Sequence, residues 1–411
     1  MKLTNKFLIG FMAIAACGCG QKQSDNPLLN DFTTPYGIAP FEEITIDNYR
    51  EGILLGMEEQ KAEIEAIINN PEEPTFQNTI VAMDQSGKLL RKVRGTFSPL
   101  TSSNSTEESR ALEKELSPLM SAHSDDINLN EKLFARVKKV YDNRENIKLT
   151  PEEKTVLENI YKRFVNSGAE LSETEKEKLR ELNQQLSMLE LTFSQNLLHE
   201  TNNTFVVANS LEELKGLPQA NIDAAAKMAA DNGQPGKWMF NMQRPSCNPV
   251  LQYCENRDLR KKVYDAYYNR GNTGNEYDSK EICRQLVTLR LEKAKLMGYN
   301  NYAEMVLEDR MAKTPDAVFE LLDQVWEPAV AKAKEELDDI RAEIRKEGKN
   351  FEPAGWDYMY YLDKAKRAKY SVDEQEIREY NSNMKSFIFF INALRKSFSR
   401  YSFGKSRNSI T

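Results

Sequence analysis

Between Ser172 and Leu197 the chain spells one long amphipathic helix, and that element constrains the fold more than any other feature. Ser172 and Glu175 form a capping box, each side chain satisfying a backbone N–H that a helix start leaves without a partner. Leu179, Leu182, Leu186, Leu189, Phe193 and Leu197 follow at steps of three and four, so they share one face. A stripe of that length needs partners of the same kind, and the chain supplies them. Thr150-Pro151-Glu152-Glu153 opens a second helix, with proline in the first turn where its missing N–H costs nothing, and Val156, Ile160 and Phe164 on one side. Thr314-Pro315 opens a third, whose stripe of Val318, Leu321, Leu322, Val325 and Trp326 resumes after Pro328 at Val330, Ala333, Leu337, Ile340 and Ile344. Pro328 is expected to kink or divide this helix, because it removes a backbone donor and crowds the preceding turn. All these stripes are expected to be core faces. The fold class is therefore mainly α, with long antiparallel helices.

One interruption reads differently. Thr204-Phe205-Val206-Val207 and Lys237-Trp238-Met239-Phe240-Asn241-Met242 are short, β-branched or aromatic, and bounded by Gly, Pro and Asn. They predict a small strand pair within 204–242 with a helix between its members. The carboxylate run from Glu173 to Glu181 reads as a solvated helix face and not as acid–base pairs, since nothing apolar surrounds it to shift a pKa.

Charge is distributed unevenly. The chain carries −7 overall, yet residues 381–411 hold six Lys and Arg and no Asp or Glu, which leaves −13 on the preceding 380 residues. That acidic balance argues against a nucleic-acid partner. At the other end, Lys2 and Lys6 precede an apolar run from Phe7 to Ala16, too short to span a bilayer and of the form of a secretory signal. Ile14-Ala15-Ala16-Cys17 resembles a bacterial lipoprotein cleavage box, with Cys17 as the lipid attachment residue and Cys19 as the alternative. Residues 1–19 are thus expected to be the signal segment and 20–39 a polar tether. Lipid on the cysteine would attach the chain to a membrane of the bacterial cell envelope, on its periplasmic or outer-membrane face. Cys247, Cys254 and Cys283 remain, an odd number that argues against a disulfide framework; Cys254 reads as a small buried apolar residue.

Several motifs carry a family resemblance. Gly355-Trp356-Asp357-Tyr358-Met359-Tyr360-Tyr361-Leu362, followed by Lys364, Lys366, Arg367 and Tyr370-Ser371-Val372-Asp373-Glu374, resembles the thimet oligopeptidase and peptidyl-dipeptidase family of zinc metallopeptidases. Upstream, the stretch from Asn69 to Ile80, the stretch from Ser117 to His123, Asn269-Arg270-Gly271-Asn272, and Lys295-Leu296-Met297-Gly298-Tyr299 with Tyr302-Ala303 occur in family order. The resemblance is collinear from about Pro40 to Tyr380 and is closest to bacterial dipeptidyl carboxypeptidases, which remove dipeptides from the C-termini of short peptides. It implies that residues 40–380 form the N-terminal half of a neurolysin-like helical fold, one wall and the roof of a narrow channel that admits short unstructured peptides.

The family's zinc requires H-E-x-x-H, because histidines at i and i+4 face one ion and the intervening Glu serves as general base. This chain has two histidines, His123 and His199, 76 positions apart. His199-Glu200-Thr201-Asn202-Asn203 offers the first two letters, but Asn203 stands where the second histidine must be, and an amide oxygen is a poor zinc donor. His199 is therefore expected near a helix end facing solvent, and His123 as a packed, hydrogen-bonded side chain. No catalytic or metal-ligating residue is assigned, and no zinc is expected on this chain although the family depends on it. The loss of acidic residues and of resemblance together at Tyr380 leads to the expectation that the family-like reading frame ends there and that 381–411 is a non-family tail. The alternative is a non-catalytic, lipid-anchored helical module that binds peptides or a partner, with the basic, aromatic tail as its membrane-surface or docking segment.

Overall fold

The computed structural model of the chain describes residues 24–371. The signal segment, Cys17, Cys19 and everything after Ser371, including Tyr380 and residues 381–411, lie outside the described residues. The described chain divides into two compact units, residues 24–195 with 282–306, and residues 196–281 with 307–371.

The first unit is wholly helical. It contains α1 (Ile46–Ile68), a π-helical turn (Phe76–Val81) leading into α2 (Ala82–Gln85), α3 (Lys88–Ser103), α4 (Glu107–Asn128), α5 (Glu131–Asp142), α6 (Pro151–Asn166) and the larger part of α7 (Glu173–Asn203). Capping chemistry sets the starts. Thr45 with Asn48, Thr106 with Ser109, and Thr150 with Glu153 form reciprocal boxes, and Ser172 exchanges hydrogen bonds with Glu175. The apolar faces meet in two clusters. Tyr49, Ile53, Leu90, Val93, Phe97, Leu112 and Leu116 fill one; Ile64, Ile67, Phe76, Ile80, Leu133, Val137, Leu157 and Phe164 fill the other. In α7, Leu179, Leu182 and Leu186 are buried as their spacing predicts.

The start of the expected tether is packed where it is described, while Tyr36 and Ile38 further along it are exposed. Leu28 is fully buried beside Tyr49 and Ile53, and Asn26 caps a short 3-10 turn, Pro27–Leu29. Glu173, Glu175, Glu177 and Glu181 are exposed, as expected of a solvated face, while Lys176 within the run is buried and donates to Glu131 at 3.2 Å and Glu173 at 2.9 Å. That pairing holds the Glu173 carboxyl below its ordinary value.

The second unit holds the predicted strand pair. β1 (Phe205–Ala208) runs antiparallel to β2 (Trp238–Asn241), with Val206 opposite Phe240 and Ala208 opposite Trp238, and α8 (Gln219–Asp231) lies between them in sequence. α9 (Arg244–Tyr253) and α10 (Arg257–Tyr268) close its core around Val250, Leu251, Cys247, Cys254, Leu259 and Val263. Both cysteines are buried and free, while Cys283 is exposed. α11 (Lys280–Leu296) and α12 (Tyr302–Leu307) fall almost entirely in the first unit. The second unit resumes with α13 (Pro315–Lys346), which packs against α14 (Gly355–Tyr370) through Ile340, Ile344, Tyr360 and Tyr361.

Two expectations about α13 need correction. Of the kink or division expected at Pro328, the division does not occur: the helix runs unbroken for 32 residues, because neighbouring turns carry the ladder past one missing N–H. Nor is its first stripe a core face. Leu321, Leu322, Val325 and Trp326 are 54–68% exposed, and the burial begins only at Ile340. Periodicity fixes that a face is apolar; it does not fix that this chain covers it.

Candidate functional site

His123 lies on α4 and His199 on α7, and each has its own local partner. His123 Nε2 is 2.8 Å from Gln60 Oε1, the packed, hydrogen-bonded arrangement expected for it. Burial pushes its imidazole below the ordinary value, and Lys61 and Arg94 add to this against the opposing charge of Asp126. It lines a cavity of about 690 Å³ with Asp84, Arg91, Arg94 and Arg163.

His199 stands near the end of α7, as expected, and is only partly exposed. Its ring is half-buried and stacked on Tyr277 with centroids 3.7 Å apart. Asn203, at the position a second zinc histidine would occupy, donates its amide to His199 Nδ1 at 3.2 Å. Glu200 is buried and accepts from Thr273 Oγ1 at 2.6 Å, Asn275 Nδ2 at 3.0 Å and the backbone N–H of Gly271. Burial pushes this carboxyl up, yet the hydrogen bonds from Thr273, Gly271 and Asn275 outweigh it and hold the group below its ordinary value. Glu200 thus clamps the 271–275 loop, while His199 packs on Tyr277 beyond it. Among the described residues no three of His, Cys, Asp and Glu converge as a metal site. The described donors do not fit a zinc ion.

The densest polar constellation instead surrounds Asp357, in the Gly355-Trp356-Asp357 motif. Asp357 sits in the first turn of α14 and accepts the backbone N–H of Ala354 at 3.0 Å, which starts the helix. Arg257 and Arg260, one turn apart on α10, both reach it. Arg257 donates through Nε at 2.9 Å and Nη2 at 2.7 Å, and Arg260 through Nη2 at 2.9 Å. Arg260 spends its remaining donors on the carbonyls of Cys254 at 2.7 Å and Trp356 at 3.1 Å, so a fully buried guanidinium is satisfied. Desolvation raises the Asp357 pKa, but Arg257, the Ala354 amide and Arg260 more than offset it and leave the carboxyl below its usual range. The rings of Tyr360, Phe351 and Trp356 face these guanidinium groups at 4.1, 4.3 and 5.5 Å.

A second acid completes the site. Glu347 accepts from Tyr361 Oη at 3.0 Å and Lys349 at 2.7 Å, and pairs with Lys364. Its partial burial opposes ionisation, but these three donors hold it down to about 2. Burial and the Glu347 charge push the Tyr361 phenol well above its ordinary value. Beside this network lies a cavity of about 360 Å³, walled by Leu251, Tyr264, Tyr268, Leu337, Tyr358 and Met359. Its floor requires glycine, since a Cβ on Gly355 would lie 2.2 Å from Tyr264 Oη. The lining is apolar apart from three tyrosines, Tyr264, Tyr268 and Tyr358, the last of which donates to Glu336 at 2.8 Å. Read from sequence, this motif was one of several that carried the family resemblance and was given no other role. The ion pair itself was not legible there, because Arg257 and Arg260 lie 100 and 97 positions from Asp357.

Comparison with known proteins bears on this stretch and on the whole chain. Residues 250–388 match the family described as Peptidase family M3, a span that contains the Asp357 network and passes Tyr380, where the resemblance was expected to stop. The chain is 34% identical over 355 residues to the dipeptidyl carboxypeptidase of Escherichia coli (strain K12), covering 86% of this chain and 52% of that protein. It is 33% identical over 357 residues to the dipeptidyl carboxypeptidase of Salmonella typhimurium, covering 87% and 52%. Oligopeptidase A of Haemophilus influenzae is 30% identical over 359 residues, covering 86% and 52%. The chain spans about half the length of the curated relatives it matches.

Proposed function

We infer, because the chain belongs to Peptidase family M3, that it forms the N-terminal helical portion of a peptidyl-dipeptidase, a hydrolase that removes dipeptides from the C-termini of short peptides. The observation that carries this reading is the collinear 34% identity to a dipeptidyl carboxypeptidase across 86% of the chain. Unaided catalysis is not part of the reading. Family chemistry needs a zinc held by H-E-x-x-H, and the sequence has two histidines that cannot form that pair. The residues present would act on peptides by limiting access, as one wall and the roof of a channel whose zinc-bearing wall belongs to the part of the relatives this chain does not span.

The N-terminal sequence supports export and lipid attachment at Cys17, or at Cys19, placing the protein on a membrane of the bacterial cell envelope. No helix among the described residues is long and apolar enough to cross a membrane. The second reading, a non-catalytic anchored module that binds peptides or a partner, draws on the exposed apolar stripe of α13.

Metal analysis after dialysis, run beside a short-peptide cleavage assay, tests the first reading. The 411-residue chain is expected to retain no stoichiometric zinc and to release no dipeptide. Turnover that a chelator silences would overturn it. Saturable binding of short peptides without cleavage is expected under either reading, and the mass of bound lipid on Cys17 checks the anchor.

A further inference from the structure

The first half of α13 is an apolar surface that the described residues leave bare. Phe319, Leu321, Leu322, Val325 and Trp326 are all more than half exposed, Trp326 at 68%. Large apolar side chains clustered on one helix face, with no polar interleaving on that face, mark a surface meant to be covered. The flanks have one sign. From Pro315 to Val330 the helix carries Asp316, Glu320, Asp323 and Glu327 and no Lys or Arg.

The chain contains a segment of the complementary kind. Residues 381–411 hold the apolar run Phe387, Ile388, Phe389, Phe390 and Ile391, with Lys385, Arg395, Lys396, Arg400, Lys405 and Arg407 around it and no acid. Its starting point is also in place. The end of α14 is tied to α13 by Lys369, whose Nζ is 3.2 Å from Asp339. From Asp339 to Trp326 is 13 residues of helix, roughly 20 Å at 1.5 Å per residue. Phe387 lies sixteen positions after Ser371, and an extended chain over that many steps reaches roughly 50 Å. The link is long enough with slack to spare.

We propose that residues 381–411 dock within the same chain onto the exposed face of α13, the apolar run covering Phe319, Leu322, Val325 and Trp326 while the basic residues face Glu320, Asp323 and Glu327. Removal of both apolar surfaces from water supplies the contact, and the opposite charges select this face over the rest of an acidic surface. Such docking does not depend on the peptidase reading, since it concerns only how this chain covers its own surface.

A zero-length carbodiimide cross-linker, applied to the full chain and read by mass spectrometry, tests it. Amide links from Lys385 or Lys396 to Glu320, Asp323 or Glu327 are expected. In an equal mixture of ¹⁴N- and ¹⁵N-labelled protein each linked pair should carry one isotope. The full-chain variant F387S/F389S/F390S should lose these links, bind more of an apolar-surface dye and melt no higher than the parent. Mixed-isotope links would mean that a second copy covers the helix and would overturn the proposal. So would links scattered over acidic residues elsewhere, or links that survive the triple substitution; a tail without a docking role gives these outcomes.

Discussion

Arg260 and Asp357 share a 2.9 Å hydrogen bond from which water is excluded on both sides, the arginine 1% and the aspartate 0% exposed. Two buried charges repay their desolvation only when geometry is good and every remaining donor is satisfied. Here the Cys254 and Trp356 carbonyls, the Ala354 amide and Arg257 complete that requirement. Removing one partner leaves the other charged, buried and alone. Asp357→Ala is therefore expected to destabilise the second unit by about 3–5 kcal/mol in urea unfolding. Arg257, at 40% exposure, can exchange its partner for water, so Arg257→Ala should cost much less, about 1 kcal/mol. Equal costs for the two would mean that Asp357 is held by Arg257 and the buried Arg260 contributes nothing.

Acid should find Glu347 and Asp357 early. Both carboxyls lie below their unfolded values, Glu347 at about 2, so the unfolded chain takes up protons first as pH falls. Their contribution is complete above about pH 5 and is lost as pH falls through the folded values. For Glu347 the difference from 4.5 to about 2 corresponds to roughly 2–3 kcal/mol once partial exposure is allowed for. Glu347→Gln should flatten the fall in stability between about pH 5 and pH 2 while lowering stability at pH 7. An unchanged slope in acid titrations of unfolding would exclude a linked role for this residue.

The clamp at Glu200 predicts a local effect. Its carboxylate gathers Gly271, Thr273 and Asn275, so Glu200→Ala strands an amide, a hydroxyl and a side-chain amide in one step. A cost of about 1–3 kcal/mol is expected, together with faster proteolytic nicking between 270 and 276 under native conditions. His199→Ala removes only a stack on Tyr277 and an Asn203 contact, and should leave the nicking rate of that loop near the parent's. If both substitutions open the loop equally, the histidine stack and not the carboxylate holds it.

Local chemistry explains why these helices were legible before their packing. Ser172, Thr150 and Thr314 announce starts through side chains that bond backbone groups two or three residues away, so no tertiary information is needed. The strand pair is equally local: Gly, Pro and Asn bound two short β-rich runs, and β1 and β2 pair in that place. Burial is a different matter. Val318 to Trp326 has the same periodicity as Leu179 to Leu186, yet one stripe is wet and the other dry, because coverage depends on residues distant in sequence. The Asp357 network failed to show for the same reason, since the partners are separated by 97 and 100 positions. The partial cover over His199 was not legible because Tyr277, 78 residues on, supplies the ring.

Glycine substitutions in the first unit should have opposite signs at two positions, which separates close packing from helix propensity. On α1, a Cβ at Gly56 would lie 2.8 Å from the backbone N and Cα of Leu90 on α3. Backbone cannot rotate aside as a side chain can, so the two helices would have to part. Gly52, one turn earlier, faces Val93 Cγ2 at 3.0 Å, and the pair of glycines lets α1 and α3 approach along one seam. Overpacking at such a site costs about 1–3 kcal/mol, against a gain of about 1 from replacing a helical glycine by alanine. Gly56→Ala is therefore expected to destabilise the unit. Gly95 lies within α3, and a Cβ added there would meet no atom within 4 Å, so Gly95→Ala should keep only the gain and stabilise by about 0.5–1 kcal/mol. Thermal or urea unfolding of the two variants beside the parent checks both signs at once. A stabilised Gly56→Ala would show that α1 and α3 do not approach as closely as Leu90 and Gly56 require.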